Sequence, residues 1–181
     1  MPQHSIMEWR PGVKDPALGT FIPGPPHHRT AGECKTDHMP TLFSQILAGE
    51  LPARFVWQDS QAAAFLTVAP LTPGHTLVVP RQEVDQWTDT DSGLLTHCVT
   101  VAQAIGRGVQ RAWDAPRAGL VIAGFEVPHL HIHVAPTWDM SDFDFTKAEL
   151  EKDEAALDDA AVRLRTALRE LGFTENVPAE R

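Results

Sequence analysis

Cysteine is scarce in this chain: Cys34 and Cys98 are the only two in 181 residues, they lie far apart, and neither sits in a Cys-x-x-Cys pair. Disulfide scaffolds and cysteine-rich zinc sites need closely spaced sets, so neither is expected. No apolar run reaches the roughly 20 residues of a membrane-spanning helix. The N-terminus has no basic-then-apolar signal pattern. These absences read as a soluble, cytoplasmic protein without a membrane partner. Positive charge is also in deficit, with 15 Lys and Arg against 24 Asp and Glu and a formal net charge of −9. About two thirds of that excess falls in residues 139–181, while residues 1–39 balance. No basic stripe with interleaved aromatics exists, so no nucleic acid polymer is expected as a partner. A small anionic substrate remains compatible, because a few donors and dipoles decide its binding locally. Internal repeats and a regular βαβ alternation are missing as well.

A chain of this length suits one full-sized domain. Residues 1–38 are rich in Pro and Gly (Pro23-Gly24-Pro25-Pro26) and lack helical or strand periodicity, which reads as a disordered or loosely docked extension. From Thr41 the pattern tightens. Leu42, Phe43, Ile46 and Leu47 fall at helical spacing, and Gly49 ends that helix. Phe55-Val56-Trp57 and Ala63-Ala64-Phe65-Leu66 read as strands joined by a turn over 58–61. His75 to Pro80 is a further strand, with a histidine at its entrance. Leu94 to Trp113 reads as a long helix whose apolar face carries Leu95, Cys98, Val99, Ala102, Ile105 and Val109. Gly119 to Ala123 and His129 to Ala135 are the last strands. Residues 147–171 read as an acidic helix that docks through Leu150, Leu157, Val162, Leu164, Leu168 and Leu171. Few helices among hairpin-like strand pairs indicate an α+β fold with an antiparallel sheet.

The run His129-Leu130-His131-Ile132-His133 carries the chemistry. Strand side chains alternate between faces, so three imidazoles share one face while Leu130, Ile132 and Val134 bury the other. Two chemistries fit this spacing. Alternate histidines can present ring nitrogens to a metal ion. One imidazole can instead act as a nucleophile oriented by the others, since a neutral ring approaches a phosphate without like-charge repulsion. Its tautomer is set if Nδ1–H is held by a carbonyl, leaving the Nε2 lone pair free. A polar surface patch is the third reading.

Pro73-Gly74-His75-Thr76-Leu77-Val78-Val79-Pro80, together with Gly124-Phe125-Glu126-Val127-Pro128 leading into the histidine run and Val134-Ala135-Pro136, resembles the histidine triad (HIT) superfamily. The resemblance covers about residues 41–138, within a domain set at 39–138. It implies an antiparallel sheet of about five strands with a long helix, here followed by a C-terminal helical segment over 139–181. It implies nucleotidyl hydrolase or transferase activity on nucleoside phosphoramidates or dinucleoside polyphosphates, with a purine nucleotide as partner, and a homodimer formed through the long helix and the edge strand near Gly119–Ala123. His131 matches the nucleophile, which becomes covalently nucleotidylated. His129 and His133 match the flanking members that orient it and contact phosphate, and His75 completes a four-histidine pocket.

Departures from the family pattern are specific. Many members carry a Cys-x-x-Cys pair that helps hold zinc, whereas here the stretch is Thr41-Leu42-Phe43-Ser44, so no metal or other cofactor is expected. Thr67 stands where Asp or Asn commonly grips the ribose hydroxyls. Phe125-Glu126 stands where Gln-Ser or Gln-Thr donates to the phosphate or leaving group, and a carboxylate there is repulsive unless neutralised or turned away. Thr67, Phe125 and Glu126 are therefore the nucleotide-binding candidates. Two rival functions follow: a nucleotide-binding protein with little turnover, and a metal-dependent phosphohydrolase using His75 with the triad. Among other residues, His97 reads as a helix-surface histidine and Cys98 as a small core residue. Trp57, Trp87 and Trp113 read as core or interface anchors, and Trp138 as a pocket or interface candidate. Asp142 and Asp144, alternating with Phe143 and Phe145, read as solvated turn residues, with a segment folded over the site as the alternative.

Overall fold

A computed structural model describes residues 39–148 and 153–179. The N-terminal extension, with Cys34, and Leu150 lie outside the described residues. The order is α1 (Leu42–Ala48), β1 (Phe55–Gln58), β2 (Ala62–Leu66), β3 (Thr76–Pro80), α2 (Ser92–Trp113), β4 (Arg117–Val121), β5 (Ile132–Thr137) and α3 (Glu154–Glu170). The five strands form one antiparallel sheet in the order β1-β2-β3-β5-β4. This is the expected α+β architecture with one central and one C-terminal helix.

The sheet has two differently covered faces, set by the two-residue period. Val56, Ala62, Ala64, Val78, Ile132 and Val134 point to the back, where they form one apolar core with Cys98, Val101, Ala102, Ile105 and Val109 of α2. Phe65, Leu77 and Val79 point to the front and pack with Phe43 and Ile46 of α1. β2 and β3 are covered on both sides, which is why all ten of their residues are buried. His133 pairs with Leu77 on one side and Val121 on the other, so it shares the front face.

α2 begins earlier than the apolar pattern indicates, at Ser92, because Asp91 caps it with Oδ1 accepting from Gly93 and Leu94 N–H. Its buried stripe includes Val101 and Ala104 but leaves Val99 largely exposed. α3 packs on α2 through Ala160, Ala161, Leu164 and Leu168. It starts at Glu154, not at 147: Asp153 caps it by accepting from Ala156 N–H at 3.0 Å. Val162 and Leu171 remain substantially exposed and do not dock. Arg54, just before β1, ties to α3 with 2.6 Å ion pairs to Glu154 and Asp158. No described helix is long and apolar enough to cross a membrane.

Candidate active site

The histidine run enters the sheet later than its alternation suggests. The ladder begins at Ile132, while His129 to His131 precede it, with Leu130 N–H donating to Val84 O at 2.6 Å. His129, Leu130 and His131 are nonetheless buried. Short of the ladder, side-chain bonds and packing hold the rings.

His131 is fixed by the residue two before it. Its Nδ1 lies 2.7 Å from the His129 carbonyl, so Nδ1–H donates and the Nε2 lone pair is free. The Phe43 ring meets it edge-on at 5.1 Å, and the His133 ring at 4.9 Å. A second chain of hydrogen bonds sets the neighbouring pair. Leu71 N–H donates to His75 Nδ1 at 3.1 Å, which leaves the His75 proton on Nε2. That Nε2–H donates to His133 Nδ1 at 3.0 Å, so neutral His133 carries its proton on Nε2. An imidazole lone pair and an imidazole N–H donor thus stand side by side, suited to attack on an electrophile and to holding its oxyanion.

Burial is the main cause that keeps His75 and His133 neutral. It pushes His75 down to about 3, helped by His133, and His133 down to about 4, helped by His131. His129 is also lowered, again mainly by burial, although its bond to Pro80 O and the charge of Glu83 act the other way. Its Nε2–H donates to Pro80 O at 2.9 Å, and its Nδ1 faces Thr41 Oγ1 at 2.9 Å. His75 and His133 bond each other through nitrogens that a shared ion would need. Among the described residues no three His, Cys, Asp or Glu converge as a metal-binding group.

His131 opens onto a hollow of about 270 Å³ lined by Asp85, Gln86, Trp87, Gly124, Phe125 and Leu130, among others. Phe125 stands at its rim, 95% exposed, and Glu126 is exposed beside it. Thr67 lies half-buried in the β2–β3 loop, its Oγ1 accepting from Ala69 N–H at 3.2 Å. Trp87, expected as an anchor, is half-exposed at this hollow.

Two readings from the sequence gain hydrogen-bond partners in the structure. Asp142 and Asp144 are not merely solvated: Asp142 Oδ2 accepts from Trp138 and Asp139 N–H, and Asp144 caps a 3₁₀ turn. The segment they brace lays Phe145 edge-on against His133 at 5.2 Å and seats Phe143 over Gly119, where a Cβ would come within 2.5 Å of its ring. His97 is not a free surface histidine either. Its Nε2 lies 3.0 Å from Asp59 Oδ2, which also accepts from Trp57 Nε1. Burial would raise the Asp59 carboxyl, but hydrogen bonds from Trp57, Gln61, Ala62 and His97 outweigh it and hold it below the usual aspartate range. Cys98 is buried in the core as expected, its thiol pushed up to about 11 by burial and then by Asp59. Trp138 is half-exposed.

Comparison with known proteins agrees with this fold. An uncharacterised HIT-like protein of Mycobacterium tuberculosis is 37% identical over 103 residues, covering 54% of this chain and 72% of that protein. The asymmetrical bis(5′-nucleosyl)-tetraphosphatase of Schizosaccharomyces pombe is 33% identical over 122 residues, covering 64% and 65% respectively. A zinc-bound histidine triad family protein from Mycobacterium smegmatis superposes with a TM-score of 0.62 at 27% identity, over 73% of this chain and 95% of that one. Residues 48–140 match the HIT domain, and the chain belongs to that family.

Proposed function

We propose that this protein is a nucleotidyl hydrolase or transferase acting on purine nucleoside phosphoramidates or dinucleoside polyphosphates. The observation that carries the reading is the 2.7 Å bond from His131 Nδ1–H to the His129 carbonyl, which directs an Nε2 lone pair outward. In this reading Nε2 forms a bond to the α-phosphorus. The bond from phosphorus to the leaving oxygen or nitrogen breaks, its electron pair departs with the leaving group, and that group takes up a proton. Water or another acceptor then displaces His131, releasing the nucleotide. The His133 Nε2–H is set to hold a phosphate oxygen. Thr67 offers one hydroxyl to the ribose, and Phe125 and Glu126 border the leaving group. The likeness to the tetraphosphatase supports the substrate class. The long helix and the exposed edge strand β4 support a homodimer.

One observation favours a weaker catalyst. Phe125 and Glu126 are exposed and present neither hydroxyl nor amide at the phosphate. A binding protein with little turnover is therefore the second reading. Rapid-quench mass spectrometry with an AMP phosphoramidate separates the two. An AMP adduct on His131, formed and lost within the turnover time, is expected of the enzyme. Stoichiometric AMP binding without adduct or product would support the binding protein.

A further inference from the structure

The resemblance puts Thr41 and Ser44 where many relatives carry a zinc-holding cysteine pair, and one solved relative is zinc-bound. The residues here do not fit that ion, because neutral hydroxyls replace the thiolates that zinc favours. A hydrogen-bonded cluster occupies the place, and its protons can be counted. His129 Nε2–H is used on Pro80 O at 2.9 Å, so Nδ1 must accept. Thr41 Oγ1, 2.9 Å away, has one proton to give it, and its oxygen in turn accepts Ser44 N–H at 3.1 Å while capping α1. Ser44 Oγ lies 3.1 Å from Thr41 Oγ1, too far from His129 Nδ1, at 3.5 Å, to be its main donor. It sits closest to Glu83 Oε2 and directs its proton there. The same carboxylate oxygen accepts Thr41 N–H at 3.2 Å. Every proton in the cluster then has one acceptor, and the carboxylate supplies the strong, charge-assisted end of the chain.

We infer that Glu83 is a positioning residue: through Ser44 and Thr41 it clamps His129, whose carbonyl holds His131 in the nucleophilic tautomer. The physical link is short. If the His129 ring loses its Nδ1 donor, a buried acceptor is left unsatisfied, and the residue shifts to satisfy it. The His129 carbonyl moves with it, the 2.7 Å bond to His131 Nδ1 weakens, and the Nε2–H tautomer, which has no lone pair at the reacting atom, becomes accessible. Glutamine at position 83 keeps an acceptor for Ser44 without the charge. Alanine keeps neither.

The catalytic consequence rests on the function proposed above, so the test has two independent arms. Full-length wild type, Glu83→Ala, Glu83→Gln and Ser44→Ala are compared by steady-state hydrolysis of an AMP phosphoramidate and by long-range ¹⁵N NMR of the histidine rings. Glu83→Ala is expected to lower kcat by roughly 10- to 100-fold, the range for lost orienting partners, with KM little changed. Glu83→Gln should recover part of the loss. In the NMR arm, His131 should pass from a single Nδ1–H tautomer to a mixture in Glu83→Ala and Ser44→Ala. Unchanged kcat and tautomer in folded Glu83→Ala would overturn the inference. A fall in kcat that merely follows lost thermal stability, with the tautomer intact, would overturn it too. So would one equivalent of zinc in the wild type that disappears in Ser44→Ala. If the wild type shows no turnover, the proposed reaction fails, while the tautomer arm still decides whether the clamp exists.

Discussion

Gly74 and Trp113 compete for the same space: a Cβ on Gly74 would sit 2.5 Å from the indole ring at the C-terminal end of α2. Gly74 also has φ +91°, in the left-handed region that disfavours side chains. The next residue is His75, so the close approach of α2 to this loop places the ring that orients His133. The indole carries Arg163 of α3 over its ring at 5.2 Å, which joins both long helices to the site. Gly74→Ala is expected to cost roughly 2–4 kcal/mol from backbone strain and overpacking together. Urea unfolding measures it. Trp113→Leu in the Gly74→Ala background should return the overpacking part only. A cost under 1 kcal/mol would contradict this account.

The buried pair His75 and His133 makes stability depend on acid. Their values of about 3 and about 4 in the folded protein lie below the ordinary histidine value of 6.5. Between pH 6.5 and about 4 the unfolded chain binds protons that the native pair refuses, so stability falls as pH falls. Each such imidazole contributes ~1.4 kcal/mol per pH unit across its window. Above pH 6.5 the pair contributes no pH dependence. Thermal melts from pH 7.5 to 4.5 should show a falling Tm below pH 6.5, with a shallower slope in His75→Asn. An identical slope in that variant would argue against the pair as the source.

The four histidines should not be equivalent. His131→Asn removes the proposed nucleophile and should lower single-turnover hydrolysis by several orders of magnitude while nucleotide still binds. His129→Asn and His133→Asn should impair the reaction less, and His75→Asn should fall between these and His131→Asn. A metal mechanism predicts a different result, with metal content and activity dropping together at any ligand. Near wild-type turnover in His131→Asn would sink the proposed mechanism.

β4 is an edge strand, and Leu120 on it is 48% exposed, near Val99 of α2 at 43%. An apolar edge of this kind calls for cover. The expected cover is a second copy of the chain, seen as a dimer by light scattering at micromolar concentration. Leu120→Asp should shift the protein toward monomer without unfolding it. A wild-type monomer at that concentration would refute the dimer.

Removing the residues of the N-terminal extension, 1–38, should leave thermal stability and nucleotide hydrolysis nearly unchanged, since their sequence lacks periodic apolar residues. Loss of a cooperative melt on deletion would count against this.

The sequence by itself determined whatever depends on short-range periodicity. The two-residue period set His133 on one face of β5 and Ile132 and Val134 in the core on the other. The helical period gave α2, and Pro, Gly and Asp marked the turns. Alternation could not say where the ladder starts, because backbone pairing depends on a partner strand: β5 begins at Ile132, opposite Val78. Nor could it assign the residues that hold the rings. Glu83 meets Ser44 across 39 positions, Thr41 meets His129 across 88, and Asp59 meets His97 across 38. Phe145 meets His133 edge-on, and Gly119 leaves room for Phe143. Such contacts join residues whose local patterns are unremarkable, and only chain closure in three dimensions brings them together. The proposed nucleophile and the carbonyl that sets its tautomer were thus written in a local motif, whereas the protons of His129, His75 and His133 were decided by contacts that only the tertiary structure makes.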